Sequence, residues 1–171
     1  MEIRALRADD ERSGFSCGDE HLDRFFRTFA GQNQFRHHLG VTYVAVEGAA
    51  IWGFATVAPA HIEIDALPAV ARKKLPNYPL PVLRLARLAV EHALQSKGIG
   101  AQLLRFVLKL SLEMDGAYGC AGVVVDAKES ALPFYAKYGF TPLEPVEGQS
   151  EARPRHVPMF LSINQVRDAN Q

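Results

Sequence analysis

The spacing of apolar residues changes along this chain between a period of two and a period of three to four. Short apolar runs predict strands at residues 3–6, 42–46 and 51–58, and the last two are joined by Glu-Gly-Ala-Ala, a hairpin signal. Between the first strand and the hairpin, apolar positions 22, 25, 26 and 29 follow helical spacing, with Asp19 as the expected N-cap. The first third of the chain therefore predicts a strand, a helix and a hairpin.

The middle of the chain predicts a buried strand that leads into a long helix. Residues 82–90 are rich in leucine and valine, which is typical of a central strand buried on both faces. A turn with two glycines follows, and then a helix over residues 102–114 that Gly116 is expected to end. Upstream of the strand, residues 60–81 contain four prolines and predict a short helix and a loop.

The next part of the chain repeats the order of strand and helix. Residues 121–126 predict a strand, and Ser130 is the expected cap of the helix that follows it. Pro133 is tolerated in the first turn of that helix, and Gly139 is expected to end it.

Two late strands, predicted at residues 140–143 and 157–163, complete a pattern of hairpins followed by strand–helix–strand–helix–strand. This order predicts the α/β class, with a central mixed, twisted sheet and helices on both of its faces. A length of 171 residues is ordinary for one domain, and no repeat or linker interrupts the pattern. We therefore expect a single domain over residues 1–171.

Composition and charge exclude several classes of protein. Nineteen basic residues balance nineteen acidic ones, so the net charge does not indicate a nucleic-acid binder, although one face could still be basic. Cys17 and Cys120 form no C-x-x-C pair and no plausible zinc set with the six histidines. The N-terminus lacks the apolar core of a signal peptide, and no apolar run is long enough to span a bilayer. We expect a cytoplasmic protein without a bound metal.

Residues 95–100 form the most informative local pattern, Gln-Ser-Lys-Gly-Ile-Gly, between the buried strand and the long helix. Glycines let a backbone approach a ligand closely, and a helix N-terminus offers unpaired N–H groups that suit a phosphate. A dinucleotide fingerprint would need a third glycine where Leu103 stands, and the P-loop pattern occurs nowhere. Taken alone, the turn is equally consistent with binding a phosphorylated cofactor and with merely reversing the chain.

A second pattern follows the next predicted strand, where Phe134-Tyr135 precedes Gly139-Phe140. The turn Gln95-x-x-Gly98-x-Gly100 and this aromatic pair, in this order and at this spacing, resemble the GNAT superfamily of acetyl-coenzyme A-dependent N-acetyltransferases. The resemblance covers residues 83–140. It implies the GNAT acyltransferase fold and acetyl-CoA as the cofactor.

The resemblance also implies which residues hold the cofactor. Backbone N–H groups of the turn would bind the pyrophosphate, and the pantetheine arm would pair with the preceding strand, where an N–H of Leu88 or Val90 would polarise the thioester carbonyl. Lys97 is equally well explained as a solvated loop lysine. Ser130 stands where the family often has asparagine, and its shorter reach leaves that contact open. The implied cofactor-binding residues are Leu88, Ala89, Val90, Gln95, Ser96, Lys97, Gly98, Ile99, Gly100, Ala101 and Ser130.

Tyr135 is implied to supply the proton for the departing thiolate. A tyrosine titrates near pH 10 and a thiol near pH 8.5, so full proton transfer is uphill by about 2 kcal/mol in water. Loss of thiolate hydration in a dry site can close that gap. The alternative is that Tyr135 only packs its helix on the sheet, which is the role expected of Phe134, while Tyr138 is expected to pack or to lie at the surface.

The acceptor amine must also lose a proton. Glu91, directly after the buried strand, is the best candidate for a general base, with His61 and Glu63 behind it. Each of these is more typical of a solvated residue, and many enzymes of this superfamily deprotonate the amine through water. A dedicated base is therefore not required.

A narrower resemblance comes from the rest of the chain. Phe15-Ser16-Cys17-Gly18 is followed by Leu22-Asp23 and Phe25-Phe26, as in the toxin branch of this superfamily, and the similarity extends to Pro81-Val82, Val125-Asp126-Ala127-Lys128-Glu129 and Pro158-Met159-Phe160. Those toxins acetylate the α-amino group of aminoacyl-tRNA and are neutralised by a small ribbon-helix-helix antitoxin. The resemblance implies the same acceptor and the same kind of partner for this chain.

An RNA substrate would need basic residues near the site. The candidates are Arg24 with Arg27, Arg36-His37-His38, Arg72-Lys73-Lys74, and Arg84 with Arg87, although such clusters are usually solvated faces. Two alternatives stay open: a GNAT enzyme that acts on a small amine or a protein amino group, which suits the neutral net charge, and a non-catalytic coenzyme A-binding module. The sequence also leaves open whether the chain forms a homodimer.

Overall fold

The structure is a computed structural model that describes residues 1–67, 69–72, 75–76, 79–143 and 156–170. Its strands are β1 Glu2–Ala5, β2 Val41–Glu47, β3 Ala50–Ile62, β4 Leu80–Val90, β5 Gly122–Lys128, β6 Thr141–Pro142 and β7 His156–Ser162. Its α-helices are α1 Glu20–Arg24, α2 Ala30–Phe35, α3 Ala69–Arg72, α4 Ile99–Tyr118, α5 Leu132–Lys137 and α6 Ile163–Ala169.

The seven strands form one sheet in the order β1-β2-β3-β4-β5-β7-β6. Pairing is antiparallel between β1 and β2, β2 and β3, β5 and β7, and β6 and β7. β4 and β5 are neighbours connected through α4, and such a crossover is what parallel strands require. The mixed sheet with its helices confirms the predicted α/β class.

Contacts divide the chain into two compact units, Met1–Ala58 with Leu85–Lys109, and Pro59–Arg84 with Leu110–Gln171. Each unit has an apolar cluster of its own. Each also contains one buried cysteine, Cys17 in the first unit and Cys120 in the second, and burial raises the pKa of the Cys120 thiol. The expectation of a single domain stays a prediction.

Aromatic rings form the core of the first unit. Phe26 stacks on Phe54 of β3 with ring centroids 4.4 Å apart, and Phe15 meets both rings edge-on. Gly53 is required by close packing, because a Cβ there would lie 2.9 Å from the carbonyl oxygen of Ala89. The hairpin of β2 and β3 therefore lies close against β4.

The first helix begins as predicted and is followed by a π-helical turn. Asp19 has an extended backbone and accepts hydrogen bonds from the N–H groups of His21 and Leu22 at 2.9 and 3.2 Å, which confirms it as the N-cap. After α1 the chain makes a π-helical turn, Phe25–Phe29, before α2 continues to Phe35. Such wide turns inside helices are frequent at functional sites.

The paired strands β5 and β7 lie at the centre of the second unit. A Cβ on Gly122 would collide with the carbonyl oxygen of Leu161, so only glycine fits where these strands meet. Ser162 ends β7 and begins α6 in a capping box with Gln165. The apolar cluster of this unit consists of Ala66, Leu67, Leu80, Val82, Val124, Leu143 and Phe160.

The predicted end of the long helix was wrong. Gly116 lies inside α4, and the helix continues to Tyr118. Gly119 ends it with a left-handed backbone, φ 97°, and its N–H donates to the carbonyl oxygen of Met114 at 3.1 Å. A helix ends where a residue adopts this conformation, and a glycine that keeps helical dihedrals costs only about 1 kcal/mol.

The predicted cap of the next helix was also wrong. Ser130 lies within a 3-10 turn, Glu129–Ala131, and the residue before α5 is Ala131, whose backbone is helical and whose side chain makes no capping bond. The tight turn moves the start of α5 past the serine. Pro133 is in the first turn of α5 and Gly139 follows the helix with φ 96°, both as predicted.

The central strands also differ from expectation. β3 continues to Ile62, so the first part of the predicted loop is strand. In β4, Arg84 is exposed and forms an ion pair with Asp126 of β5, so burial on both faces holds only for part of the strand.

Candidate active site

The turn between β4 and α4 has a backbone that suits an anion. A 3-10 turn, His92–Leu94, follows β4, and Ser96 and Gly98 then adopt left-handed conformations with φ of 65° and 86°. The N–H of Gln102 donates to the carbonyl oxygen of Gly98 at 3.1 Å, so the N–H groups of residues 99–101 precede the first intrahelical bond. Successive N–H groups in left-handed turns and at a helix N-terminus form a concavity for phosphate groups.

The side chains of the turn are held in different ways. Ile99 is 6% exposed and anchors the start of α4 in the core, whereas Ser96 and Lys97 are exposed. At Gly98 nothing lies within 4 Å of the place where a Cβ would be, so the left-handed backbone rather than crowding requires glycine. Gly100 and Ala101 are half-buried. The turn is therefore fixed by an apolar anchor while its polar residues face solvent.

Gln95, the first residue of the motif, is exposed, and its side chain is hydrogen-bonded to the protein backbone. Its Nε2 donates to the carbonyl oxygens of Cys17 at 2.8 Å and Val90 at 3.1 Å. The amide thus connects the start of the turn to the end of β4 and to the loop of residues 15–18. The predicted cofactor contact of Gln95 concerns its backbone and stays a prediction.

Two more residues hold the same loop. The Glu91 carboxylate accepts a hydrogen bond from the N–H of Ser16 at 3.1 Å, and the N–H of His92 donates to the carbonyl oxygen of Ser16 at 2.8 Å. We call the loop of residues 15–18, with its bonds to Glu91, His92 and Gln95, the N-terminal clasp. Local sequence patterns do not indicate these contacts, because the bonded residues are more than 70 positions apart in the chain.

The end of β4 has two edges with different roles. The N–H of Glu91 donates to the carbonyl oxygen of Trp52 at 2.8 Å, which marks the edge that faces β3. Because N–H groups alternate along a strand, those of Leu88 and Val90 point to the opposite edge. Ala89 is buried in the core of the first unit. This direction is the one that an added strand of pantetheine would need.

Tyr135 lies in the second unit, on the short helix α5. Its side chain is 7% exposed, and its ring contacts those of Phe134 and Phe140 at centroid distances of 5.1 and 5.6 Å. Burial raises the pKa of Tyr135, so the phenol stays protonated throughout the physiological range. Phe134 is only half-buried, although a core position was expected, and Tyr138 is half-buried beside it. Ser130 is exposed in the turn before this helix.

The three candidate bases differ in their surroundings. The carboxylate of Glu91 already accepts the Ser16 N–H as part of the clasp. His61 and Glu63 are exposed. Deprotonation of the amine by water remains consistent with these positions.

Most of the candidate RNA-binding arginines are engaged within the protein. The Arg27 Nε donates to the carbonyl oxygen of Phe15 at 2.8 Å, and the Arg87 guanidinium lies 3.7 Å from the ring centroid of Phe25. Arg24 lies over the Phe29 ring, Arg72 lies 3.8 Å from Asp65, and Arg84 pairs with Asp126. Lys73 and Lys74 are outside the described residues. Arg36, His37 and His38 are exposed.

The described ranges contain no group of three or more His, Cys, Asp or Glu side chains that could hold a metal ion. No described helix is both long and apolar enough to cross a membrane.

Comparison with known proteins connects this geometry to a family. The chain is 28% identical over 148 residues to a tRNA-acetylating toxin from Mycobacterium tuberculosis (strain ATCC 25618 / H37Rv), covering 84% of this chain and 87% of the relative. The structure of AtaT complexed with acetyl-methionyl-tRNAfMet is similar, with a TM-score of 0.84 and 26% identity over 99% of both chains. A tyrosine-to-phenylalanine variant of KacT has the same fold, with a TM-score of 0.85 and 23% identity over 98% of both chains.

The acetyltransferase (GNAT) domain family matches residues 16–163, which include both the turn before α4 and the tyrosine of α5. The match also covers residues 16–18 of the N-terminal clasp. The order of strand, turn, helix, strand and aromatic helix is therefore that of a known group of enzymes. This chain belongs to the GNAT acetyltransferase family.

Proposed function

We propose that this acetyltransferase uses acetyl-CoA to acetylate the α-amino group of aminoacyl-tRNA and acts as a toxin that blocks translation. The use of acetyl-CoA is supported chiefly by the left-handed turn at Ser96 and Gly98, which is followed by the unpaired N–H groups at the N-terminus of α4. The acceptor half is supported by the M. tuberculosis relative, a tRNA-acetylating toxin, and by AtaT, which was solved with acetyl-methionyl-tRNAfMet.

The residues present fit acetyl-CoA. The N–H groups of residues 96–101 suit a diphosphate, Lys97 adds an exposed positive charge, and the N–H groups of Leu88 and Val90 face the edge of β4 away from β3. Crystals of AtaTR with bound acetyl-CoA, a structure 26% identical to this chain, support the same cofactor here. Within this proposal, Ser130 is an exposed donor beside α5 that could add a contact to the cofactor.

The chemistry divides between backbone and side chain. Bound acetyl-CoA would supply an activated thioester. The amine would form the new N–C bond and lose a proton to water, while the C–S bond breaks and the thiolate takes up a proton. An N–H of Leu88 or Val90 would polarise the thioester carbonyl by hydrogen bonding. Tyr135 would donate a hydrogen bond from its phenol to the sulfur, and burial raises the pKa of Tyr135, which keeps the phenol protonated and argues against a role as a base.

Partners and location follow from the same proposal. AtaT has been solved with the C-terminus of the antitoxin AtaR, and we propose that a small antitoxin, of the ribbon-helix-helix type that the sequence implies, neutralises this chain. Since aminoacyl-tRNA is the proposed acceptor, we place the protein in the cytoplasm. A homodimer is compatible with this proposal, and the oligomeric state is a matter for direct measurement.

The test compares wild-type protein with Tyr135→Phe in the transfer of labelled acetyl groups to aminoacyl-tRNA. Loss of the phenol proton should lower kcat by at least about 100-fold, and growth inhibition on expression should disappear. Tyr138→Phe is the matched control, since this half-buried tyrosine lies just after α5 and should retain activity. Equal transfer by wild type and Tyr135→Phe would reject the role of Tyr135. Acetylation of polyamines or peptides, with none of charged tRNA, would instead support a small-amine acetyltransferase.

A further inference from the structure

Residues 24–46 form a long stretch whose charged side chains are all basic. From Arg24 to Val46 there is no Asp or Glu, while three arginines and two histidines occur, in a protein whose formal net charge is zero. Arg24 and Arg27 are engaged with Phe29 and with the carbonyl oxygen of Phe15. Arg36 has no side-chain hydrogen bond or ion pair with any residue that the structure describes. Its charge is therefore available to a partner.

Exposed apolar side chains accompany that charge. Residues 35–39, Phe-Arg-His-His-Leu, are all exposed, and we call them the basic–aromatic segment. Phe35 is 45% exposed and Leu39 is 63% exposed, which places them among the few exposed large hydrophobic residues of the described chain. A flat ring beside a guanidinium is the combination that stacks unpaired bases and neutralises phosphates.

Hydrogen bonds hold this segment in one conformation. Gln34 donates to the carbonyl oxygen of Leu6 at 3.1 Å and accepts from the N–H of Thr42 at 2.8 Å, and the N–H of Leu39 donates to the carbonyl oxygen of Asn33 at 2.9 Å. His38 is kept in a left-handed conformation, φ 55°, which costs a non-glycine residue free energy. The exposed side chains are thus presented on a fixed backbone, so little ordering is needed on binding.

The distance from the segment to the end of β4 is one that an unpaired RNA end can span. It leads into Val41, which pairs with Val57 of β3, while Trp52 of the same strand bonds to Glu91. Five residues of strand separate Trp52 from Val57, or about 17 Å. An unpaired RNA end several nucleotides long can cover such a span.

We propose that the basic–aromatic segment binds unpaired nucleotides at the acceptor end of the tRNA, with Phe35 stacking on a base and Arg36 contacting a phosphate. This inference rests on the proposed function, because it names the surface that recognises the proposed acceptor. Charge complementarity selects RNA as the occupant, since the surrounding stretch lacks carboxylates.

The experiment measures binding of two fluorescent RNA hairpins, one with an unpaired 3′ extension and one blunt-ended, to wild type and to Phe35→Ala/Arg36→Gln. The double variant should bind the extended hairpin about tenfold more weakly, because stacking and one phosphate contact are lost. The slope of log affinity against log salt should fall by about 0.7 for the lost phosphate contact. Affinity for the blunt hairpin should change little.

A matched pair of substitutions outside the segment controls for general effects. Tyr118→Ala removes an aromatic side chain that is 72% exposed, and Lys109→Gln removes an exposed charge from α4; binding should be unchanged in both. Both sets of variants should unfold at the wild-type midpoint, because the altered side chains are exposed.

Several outcomes would overturn the inference. Equal binding of the extended hairpin by wild type and the double variant would do so, and so would an equal loss with the blunt hairpin. If light scattering shows that the substitutions convert a dimer to a monomer, the segment is an interface between two copies. The rate of acetyl transfer to aminoacyl-tRNA separates this inference from the proposed function. If the wild type does not acetylate aminoacyl-tRNA, the proposed function is rejected. If the wild type is active and the double variant acetylates at the same rate, only the inference is rejected.

Discussion

Glu91, Gln95 and Arg87 are polar residues near the junction of β4 and the turn, and each of the three side chains contacts another part of the protein. Glu91 and Gln95 bond to the backbone of the N-terminal clasp, and Arg87 lies over the ring of Phe25. They hold the turn and the clasp in place, and in the proposed function the chemistry is assigned to backbone N–H groups and to Tyr135. A carboxylate or amide in a motif is therefore assigned by its bonded partners and not by its type.

Asp10 gives a residue-scale prediction about pH. Arg4 donates two hydrogen bonds to its carboxylate at 2.9 and 2.8 Å, which lowers the pKa of Asp10 in the folded state. A depressed folded pKa contributes stability above the unfolded value near 3.9, and this contribution is lost as the pH falls through the folded pKa. Asp10→Asn should therefore lower the free energy of unfolding by about 1–2 kcal/mol at pH 7.

Urea unfolding between pH 7 and pH 2 checks this. The difference between wild type and Asp10→Asn should shrink as the solution becomes acidic. The matched control is Asp9→Asn, since the neighbouring aspartate is exposed and should show no such change. A difference that stays constant down to pH 2 would contradict the assignment to the Arg4 pair.

Among the elements, those set by local chemistry could be predicted and those set by distant partners could not. The Asp19 cap, the β2–β3 hairpin and the glycine turn follow from neighbouring residues, and the structure has all three. The predictions that Gly116 ends α4 and that Ser130 caps α5 were wrong. Several nearby residues could end or begin those helices, and packing decides which of them does. The clasp and the left-handed conformation of Ser96 depend on contacts that sequence spacing does not encode.

The clasp gives a prediction at the scale of elements. Gln95→Ala removes two hydrogen bonds that connect the turn to β4 and to the loop of residues 15–18. The turn would then need to be ordered on binding, so KM for acetyl-CoA should rise about tenfold while kcat changes little. Gln32→Ala is the control, because that glutamine is exposed on α2. A fall in kcat with an unchanged KM would contradict a positioning role.

At the scale of the whole molecule, three elements contribute residues to both compact units. β3, β4 and α4 each pass from one unit to the other in sequence. Because neither unit is a continuous segment of chain, we expect them to unfold together as one domain.

This expectation can be measured without labels. Trp52, the only tryptophan, lies in the first unit, so its fluorescence reports on that unit, while far-ultraviolet circular dichroism reports on all helices and strands. The two signals should give the same urea midpoint. Separate midpoints would show that the units unfold independently and would reject the single domain.

The two buried thiols make a finer measurement possible. Cys17 lies in the clasp of the first unit and Cys120 lies beside β5 in the second, and both are shielded from solvent. A thiol-specific reagent can modify each one only when its surroundings open transiently, so the two modification rates report the local opening free energy of each unit. Cofactor that binds the turn should slow the reaction of Cys17. The two cysteines thus report how ligand binding changes the local opening free energy in each unit.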